Sequence, residues 1–419
     1  MFHPRPPSGK MGPMVEVRRE PRWPRVLAWT AVVLATLIAL FYLGGGWYFS
    51  NVLDERALDG AARRASTEPS YDLEVARVGD GRIELVARGE PPDALAKDGL
   101  FGLRWEGGYG QVGAVRAVGT PTPEGATGVE REFTLLDGAT PETGAPAELD
   151  VRAFPTDPGD AGMGFDDVVV PGPLGDLPAW FVEGEDPDTW AIVVHGNSMS
   201  RRDCLRVLPV LGDAGLPTLT VTYRNDAEAP QDPSGKLRYG LTEWEDLEAA
   251  VAFALEGGAK DVVLVGFSMG GGVIAAFLQR SDLASTVRAV ILDAPMLDLS
   301  TTVDDNASRE TLPLVGVPLP PSLTAVAKWM AGWRFDVAWD DLDYLEGADA
   351  FEVPFLVLHG TEDTTVPIGT SEELAKLRPD LVTLIRCRGA EHIECWNLSP
   401  DRYAARVLRF LRQTVGSQV

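Results

Sequence analysis

Between Val26 and Leu53 the chain carries no charged residue. This run, VLAWTAVVLATLIALFYLGGGWYFSNVL, exceeds the roughly 20 apolar residues a helix needs to cross a bilayer. In lipid the backbone must satisfy its own hydrogen bonds, which leaves such a run little choice but a helix. Trp29 near one end, and Trp47 and Tyr48 near the other, stand where interfacial aromatics belong. The preceding tail carries Arg5, Lys10, Arg18, Arg19, Arg22 and Arg25 against Glu16 and Glu20. A basic flank stays on the cytoplasmic side. The expectation is a cytoplasmic tail over 1–25, a single transmembrane anchor over 26–49 in contact with the lipid bilayer of the cell membrane, and residues 50–419 outside. A cleaved signal peptide competes with this reading, but its apolar core is only about 7–15 residues and ends at a small-x-small site that is not clear here.

The rest is long enough for two or three domains. Residues 51–70 are polar and Ala-rich and read as a stalk. From Tyr71 to about Phe154 the signals are those of strands. YDLEVARV and RIELVAR alternate around GDG, a hairpin turn, and FGLRW, YGQVGAVRAV and VEREFTLL come next between Gly/Pro-rich turns. Residues 50–160 are therefore expected to form a stalk and a small β-rich region that supports or positions the larger domain after it.

From about residue 161 the rhythm changes. AIVVHG, LPTLTVTY, DVVLVGF, VRAVILDAP, VPFLVLHG and LVTLIRCRG are short and almost wholly apolar, with helical stretches between them. Continuous apolar runs belong to strands buried on both faces. They imply an α/β domain over 161–419, with a doubly wound, mostly parallel sheet covered by helices. The stretch 298–350 is too long for a simple connection and carries Trp329, Trp333 and Trp339. Because ligands bind beyond the carboxyl ends of such strands, we read it as a lid insertion over a site.

Lys and Arg number 37 against 62 Asp and Glu, a formal net charge of −25. Such a chain repels nucleic acid, and no basic stripe with interleaved aromatics is present, so nucleic acid is not an expected partner. The three cysteines, Cys204, Cys387 and Cys395, show no C-x-x-C spacing, and no metal site is expected. Outside the cytoplasm Cys387 and Cys395 are close enough in sequence to pair; three buried thiols are the alternative.

Gly266-Phe267-Ser268-Met269-Gly270 comes directly after one of the apolar strands and opens an Ala/Leu-rich segment. A serine in G-x-S-x-G between strand and helix sits at a sharp turn that exposes its hydroxyl to the positive end of the helix. The rival use of such a turn, phosphate binding, fails on spacing: no Gly-Lys-Ser/Thr is present, and Gly266, Gly270, Gly271 and Gly272 do not give G-x-G-x-x-G. An alcohol needs a base. Of the four histidines, His3 lies in the tail, and His195 and His359 each end a strand before a glycine. His392, after the last strand, fits the order in which acid comes after serine and histidine comes last. Asp363, in HGTEDTTVP, lies between them and is preferred as orienting acid over Asp293 and Asp298. The candidate triad is Ser268, Asp363 and His392. Candidate oxyanion donors are the backbone N–H groups of Met269 and of Asn197, in the loop after AIVVHG. Tyr223 and Arg224, in TYRND, are candidates for the substrate rim.

Together, HGNSMSRRD, VTYRND, GFSMGGG, LDAP, LHGTEDTTVP and AEHIECWN resemble the serine-aminopeptidase/prolyl-oligopeptidase-like branch of the α/β-hydrolase superfamily, in particular its membrane-anchored bacterial members. The likeness runs from about Phe165 to the C-terminus, and residues 51–150 have no part in it. It implies an α/β-hydrolase fold and a cofactor-free serine hydrolase, with Ser268, Asp363 and His392 at its motif positions. The substrate implied is an acyl compound: a small-molecule or lipid ester or thioester, or else a peptide or amide. A catalytically inactive binding protein is the remaining alternative, against which a full triad in chain order speaks.

Overall fold

In the computed structural model, residues 23–60, 70–121, 127–313 and 315–416 are described. The tail up to residue 22, with His3, and residues 61–69 of the expected stalk lie outside them.

Among the described residues, eight strands form the large sheet: β7 (Asp166–Gly172), β8 (Gly175–Val182), β9 (Thr189–Val194), β10 (Thr218–Val221), β11 (Asp261–Phe267), β12 (Val287–Asp293), β13 (Phe355–Gly360) and β14 (Val382–Cys387). Their order is β14-β13-β12-β11-β9-β10-β8-β7. The strands from β14 to β10 run parallel, while β8 is antiparallel to both its neighbours. Every residue of β9 and β13 is buried, because helices cover both faces. Helix α2 (Leu208–Asp213) packs on β10, and α3 (Trp244–Glu256) packs on β9, β10 and β11. The chain leaves β9 for β10 on one side and returns to β11 on the other. The loops after β9 and β11 therefore diverge at a switch point and leave a crevice at the carboxyl edge.

The N-terminal β-rich region is a closed barrel in the order β1-β2-β5-β4-β3-β6. Strands β1 (Leu73–Gly79) and β2 (Arg82–Ala87) meet at Asp80 and Gly81, both at positive φ, as a two-residue hairpin requires. The others are β3 (Phe101–Trp105), β4 (Gly108–Pro121), β5 (Thr127–Gly138) and β6 (Pro146–Asp150). Arg131 is fully buried and donates only to carbonyls, those of Gly113, Ala94, Leu95 and Gly99. Burial lowers its pKa to about 10. The barrel is tied to the large sheet's domain by Arg202 on Asp150 at 2.7 Å and Arg152 on Asp203 at 2.9 Å. Asn397 adds bonds from its Nδ2 to the Leu100 and Val151 carbonyls.

The apolar run forms helix α1 (Trp23–Leu53), long and apolar enough to cross a membrane. The expectation of a stalk directly after it is corrected for its first residues. Asp54–Leu58 continue the helix in a wider turn, Leu58 is buried in the core, and its carbonyl accepts from Leu237 N at 2.8 Å. An apolar side chain at the helix end packs rather than remaining in water.

Two longer helices occupy the stretch expected as a lid: α5 (Leu299–Arg309) and α6 (Pro321–Phe335). Helix α6 lies along α1. Tyr42 Oη and Ser322 Oγ are 2.8 Å apart, and the Arg334 guanidinium stacks over the Trp47 ring at 3.6 Å. A Cβ on Gly46 would lie 2.6 Å from Val326 Cγ1, so the small residue permits this close crossing.

Candidate active site

Helix α4 (Met269–Arg280) begins directly after β11, and Ser268 stands at the joint with φ 51° and ψ −118°. A non-glycine residue is strained in such a backbone, and neighbours without side chains make room for it. On Gly270 a Cβ would sit 2.4 Å from the Val194 carbonyl oxygen, and on Gly196 one would sit 2.7 Å from Ser268 Cβ. These glycines let the β9 loop and the helix start close around the serine.

Ser268 Oγ is 2.9 Å from His392 Nε2, and His392 Nδ1 is 2.7 Å from Asp363 Oδ2. An ionised carboxylate only accepts, so the Nδ1 proton faces Asp363 and Nε2 is left to accept from the serine hydroxyl. Burial opposes charge on Asp363, but hydrogen bonds from His359 and His392 and the N–H of Val366 hold its pKa well below the usual carboxylate range. Asp363 Oδ1 accepts from Thr365 N at 2.9 Å and Val366 N at 2.8 Å, which orients the group. The structure thus brings Ser268, His392 and Asp363 into one chain of hydrogen bonds.

Neither rival acid hydrogen-bonds to His392. Asp298 caps α5 through Thr301 N at 2.9 Å. Asp293 is buried next to Ser268 with the equally buried Tyr403 hydroxyl as a neighbour, and burial raises its pKa to about 6 despite Arg206, His359, His392 and Tyr403 nearby.

Met269 opens α4, so its N–H is among the donors a helix start leaves without an intrahelical acceptor. Asn197 lies on the β9 loop, and its side chain donates to the Tyr239 hydroxyl at 3.2 Å. The rim assignment of Tyr223 and Arg224 is corrected. Tyr223 is buried, stacks on His195 and donates to the carbonyls of His195 and Gly196. Arg224 is buried against Asp246 at 2.8 Å and Glu245 at 2.9 Å. Tyr223 supports the loop after β9 from behind, whereas Arg224 ties its own loop to α3, because a buried guanidinium needs its carboxylates more than a position on the rim.

Three further features support this arrangement. His359 is buried, with Nδ1 on Ser371 Oγ at 2.8 Å and Nε2 3.3 Å from Asp363 Oδ2. Arg206, also buried, donates to the Ile393 carbonyl at 2.8 Å and holds the residue after His392. Cys387 and Cys395 are joined by a disulfide that closes the loop carrying His392, while Cys204 is a buried thiol. The spacing of the two cysteines around His392 was visible in the sequence; the partners of Arg206 were not.

A cavity of about 700 Å³ opens over Ser268, His392 and Asn197. Residues of α5 and α6 and the end of α1, from Tyr48 to Leu53, line it.

With this geometry established, the chain matches the model of the alpha/beta hydrolase family over residues 191–406, more than half its length. It belongs to that family. The hydrolase is 26% identical to a non-heme haloperoxidase of Rhodococcus erythropolis over 52% of this chain and 90% of that protein. It is 24% identical to the YfhR protein of Escherichia coli O157:H7, over 58% of this chain and 78% of that one. Among solved structures, the Pyrococcus furiosus esterase Pf2001 shares the fold at a TM-score of 0.50 and 19% identity, with 62% of this hydrolase and 97% of the esterase covered. The aligned part leaves α1 and the barrel outside the matched family region.

Proposed function

We propose that this hydrolase is a membrane-anchored serine hydrolase that cleaves a carboxylic ester or thioester through an acyl-enzyme on Ser268. The observation that carries the reading is the hydrogen-bonded chain from Ser268 Oγ through His392 to Asp363, at an elbow facing a largely apolar cavity. Ser268 Oγ attacks the acyl carbon while His392 Nε2 takes its proton, and the backbone N–H groups of Met269 and Asn197 receive the oxyanion. The bond to the leaving alcohol or thiol breaks as His392 returns that proton. Water, deprotonated by His392, then attacks the acyl-serine, and the acid departs as Ser268 regains its hydrogen. Asp363 keeps the imidazole in the required tautomer throughout.

A peptidase that grips an amino terminus would use acidic groups in the cavity. Asp203 and Glu310 line it, but each is paired with an arginine, Arg152 and Arg56. That pairing favours the ester reading. The basic tail and the Cys387–Cys395 disulfide support an arrangement with the N-terminus in the cytoplasm and the catalytic domain outside.

A fluorophosphonate probe on the full chain tests the reaction. Labelling is expected at Ser268 and lost in Ser268→Ala; labelling of the variant, or none of the folded native protein, overturns the reading. Protease added to intact cells is expected to remove the large domain, and full protection reverses the orientation.

A further inference from the structure

The cavity over Ser268 is completed by the membrane helix. Tyr48, Phe49, Val52 and Leu53 of α1 line it together with Leu299 and Val303 of α5. This wall begins directly after Trp47, the aromatic residue that Arg334 of α6 covers. The contact fixes α6 at the level where α1 leaves its apolar span. On α6, Ser322, Val326, Met330 and Arg334 form the stripe that meets α1. One residue round the helix, Trp329 and Trp333 stand 66% and 74% exposed, four residues apart on one face. Such large exposed indoles beside a spanning helix belong at a bilayer interface. Arg56 and Glu310 give the cavity a polar edge beyond the apolar wall. A volume of about 700 Å³ is in the range of pockets that enclose a sizeable ligand.

We propose that the substrate is a lipid ester of the bilayer itself, whose acyl chain reaches Ser268 through the cavity lined by α1 and α5. The anchor is then part of the substrate site as well as a tether. The polar edge leaves the headgroup in water, and the hydrolytic water comes from that side. This proposal rests on the serine-hydrolase reading and on α1 spanning the membrane. It names what that site accepts and by which route.

Two measurements on the full chain in lipid nanodiscs test it. In the first, Ser268→Ala protein is irradiated with a phospholipid carrying a diazirine in its acyl chain, and adducts are mapped. Adducts on Met296, Leu299 or Val303, which lie inside the cavity, are expected; adducts confined to residues 26–43 of α1 overturn the proposal. In the second, the native protein is compared on an acetyl ester in solution and a palmitoyl ester in the bilayer. The palmitoyl ester should be favoured in kcat/KM by at least about tenfold, since each buried methylene adds binding. Val52→Trp, which fills the wall, should cut that ratio at least about tenfold. Acetyl turnover without a palmitoyl preference sinks the lipid proposal and leaves the serine-hydrolase reading standing. No turnover of either ester, with no fluorophosphonate labelling, removes both.

Discussion

The Asn197 side chain donates to the Tyr239 hydroxyl at 3.2 Å, and that hydroxyl donates in turn to the Ala57 carbonyl at 2.9 Å. The loop expected to stabilise the oxyanion is thereby joined through one phenol to the turn that ends the apolar N-terminal helix. Tyr239→Phe removes both bonds while keeping the ring. A neutral hydrogen bond contributes about 0.5–1.5 kcal/mol, so kcat for an ester should fall about two- to twelvefold. Unchanged kcat in the folded variant would show that this link does not position the loop.

Asp363→Asn keeps the shape of the group but removes the acceptor that places the proton on His392 Nδ1. A loss of about 10⁴-fold in kcat is expected by analogy with other triads. Stability gives a second readout. The folded pKa of Asp363 lies below its unfolded value, so its contribution is present above about pH 4 and fades as pH falls below that. The gap in urea midpoint between native protein and variant should therefore narrow from pH 6 to pH 3.

Asp293 has the opposite sign. Its pKa, raised to about 6 by burial, means that between about pH 4 and 6 the folded state holds a proton the unfolded state has lost. Stability should fall with rising pH across that window. At pH 7 the cost is on the order of 2–3 kcal/mol. Asp293→Asn should flatten this slope and raise the midpoint of unfolding at pH 7. A variant less stable than the native protein at pH 7 would assign Asp293 a supporting role instead.

The Cys387–Cys395 bond closes a short loop, a separation of 8 residues, around His392. Loop-closure entropy for that length gives about 2–3 kcal/mol of stability. The double variant Cys387→Ser/Cys395→Ser should melt several degrees lower and label more slowly with fluorophosphonate. Dithiothreitol should lower the native melting temperature in the same way and leave the double variant unaffected.

Much of the candidate site is legible before any folding. DVVLVGF is a strand because its unbroken apolar run can be buried on both faces, and the glycines after it leave room for the strained serine. With four histidines, two of them at strand ends before glycines, chain order alone singles out His392. Tyr223 and Arg224 show the limit. A motif places them near the site, but only the buried carboxylates of Asp246 and Asp226 and the stacked His195 decide that they face inward.

The apolar span, the sheet with its elbow, and the grouping of Ser268, Asp363 and His392 are readable along the chain, because each is set by local periodicity, local turn chemistry or residue order. That the span ends at the cavity and that α6 packs along it follows only from the folded chain. Tyr42 and Ser322 are 280 residues apart, as far as local patterns are concerned unrelated. Periodicity tells which face of a helix is apolar, whereas the partner covering that face is chosen by packing the whole chain at once.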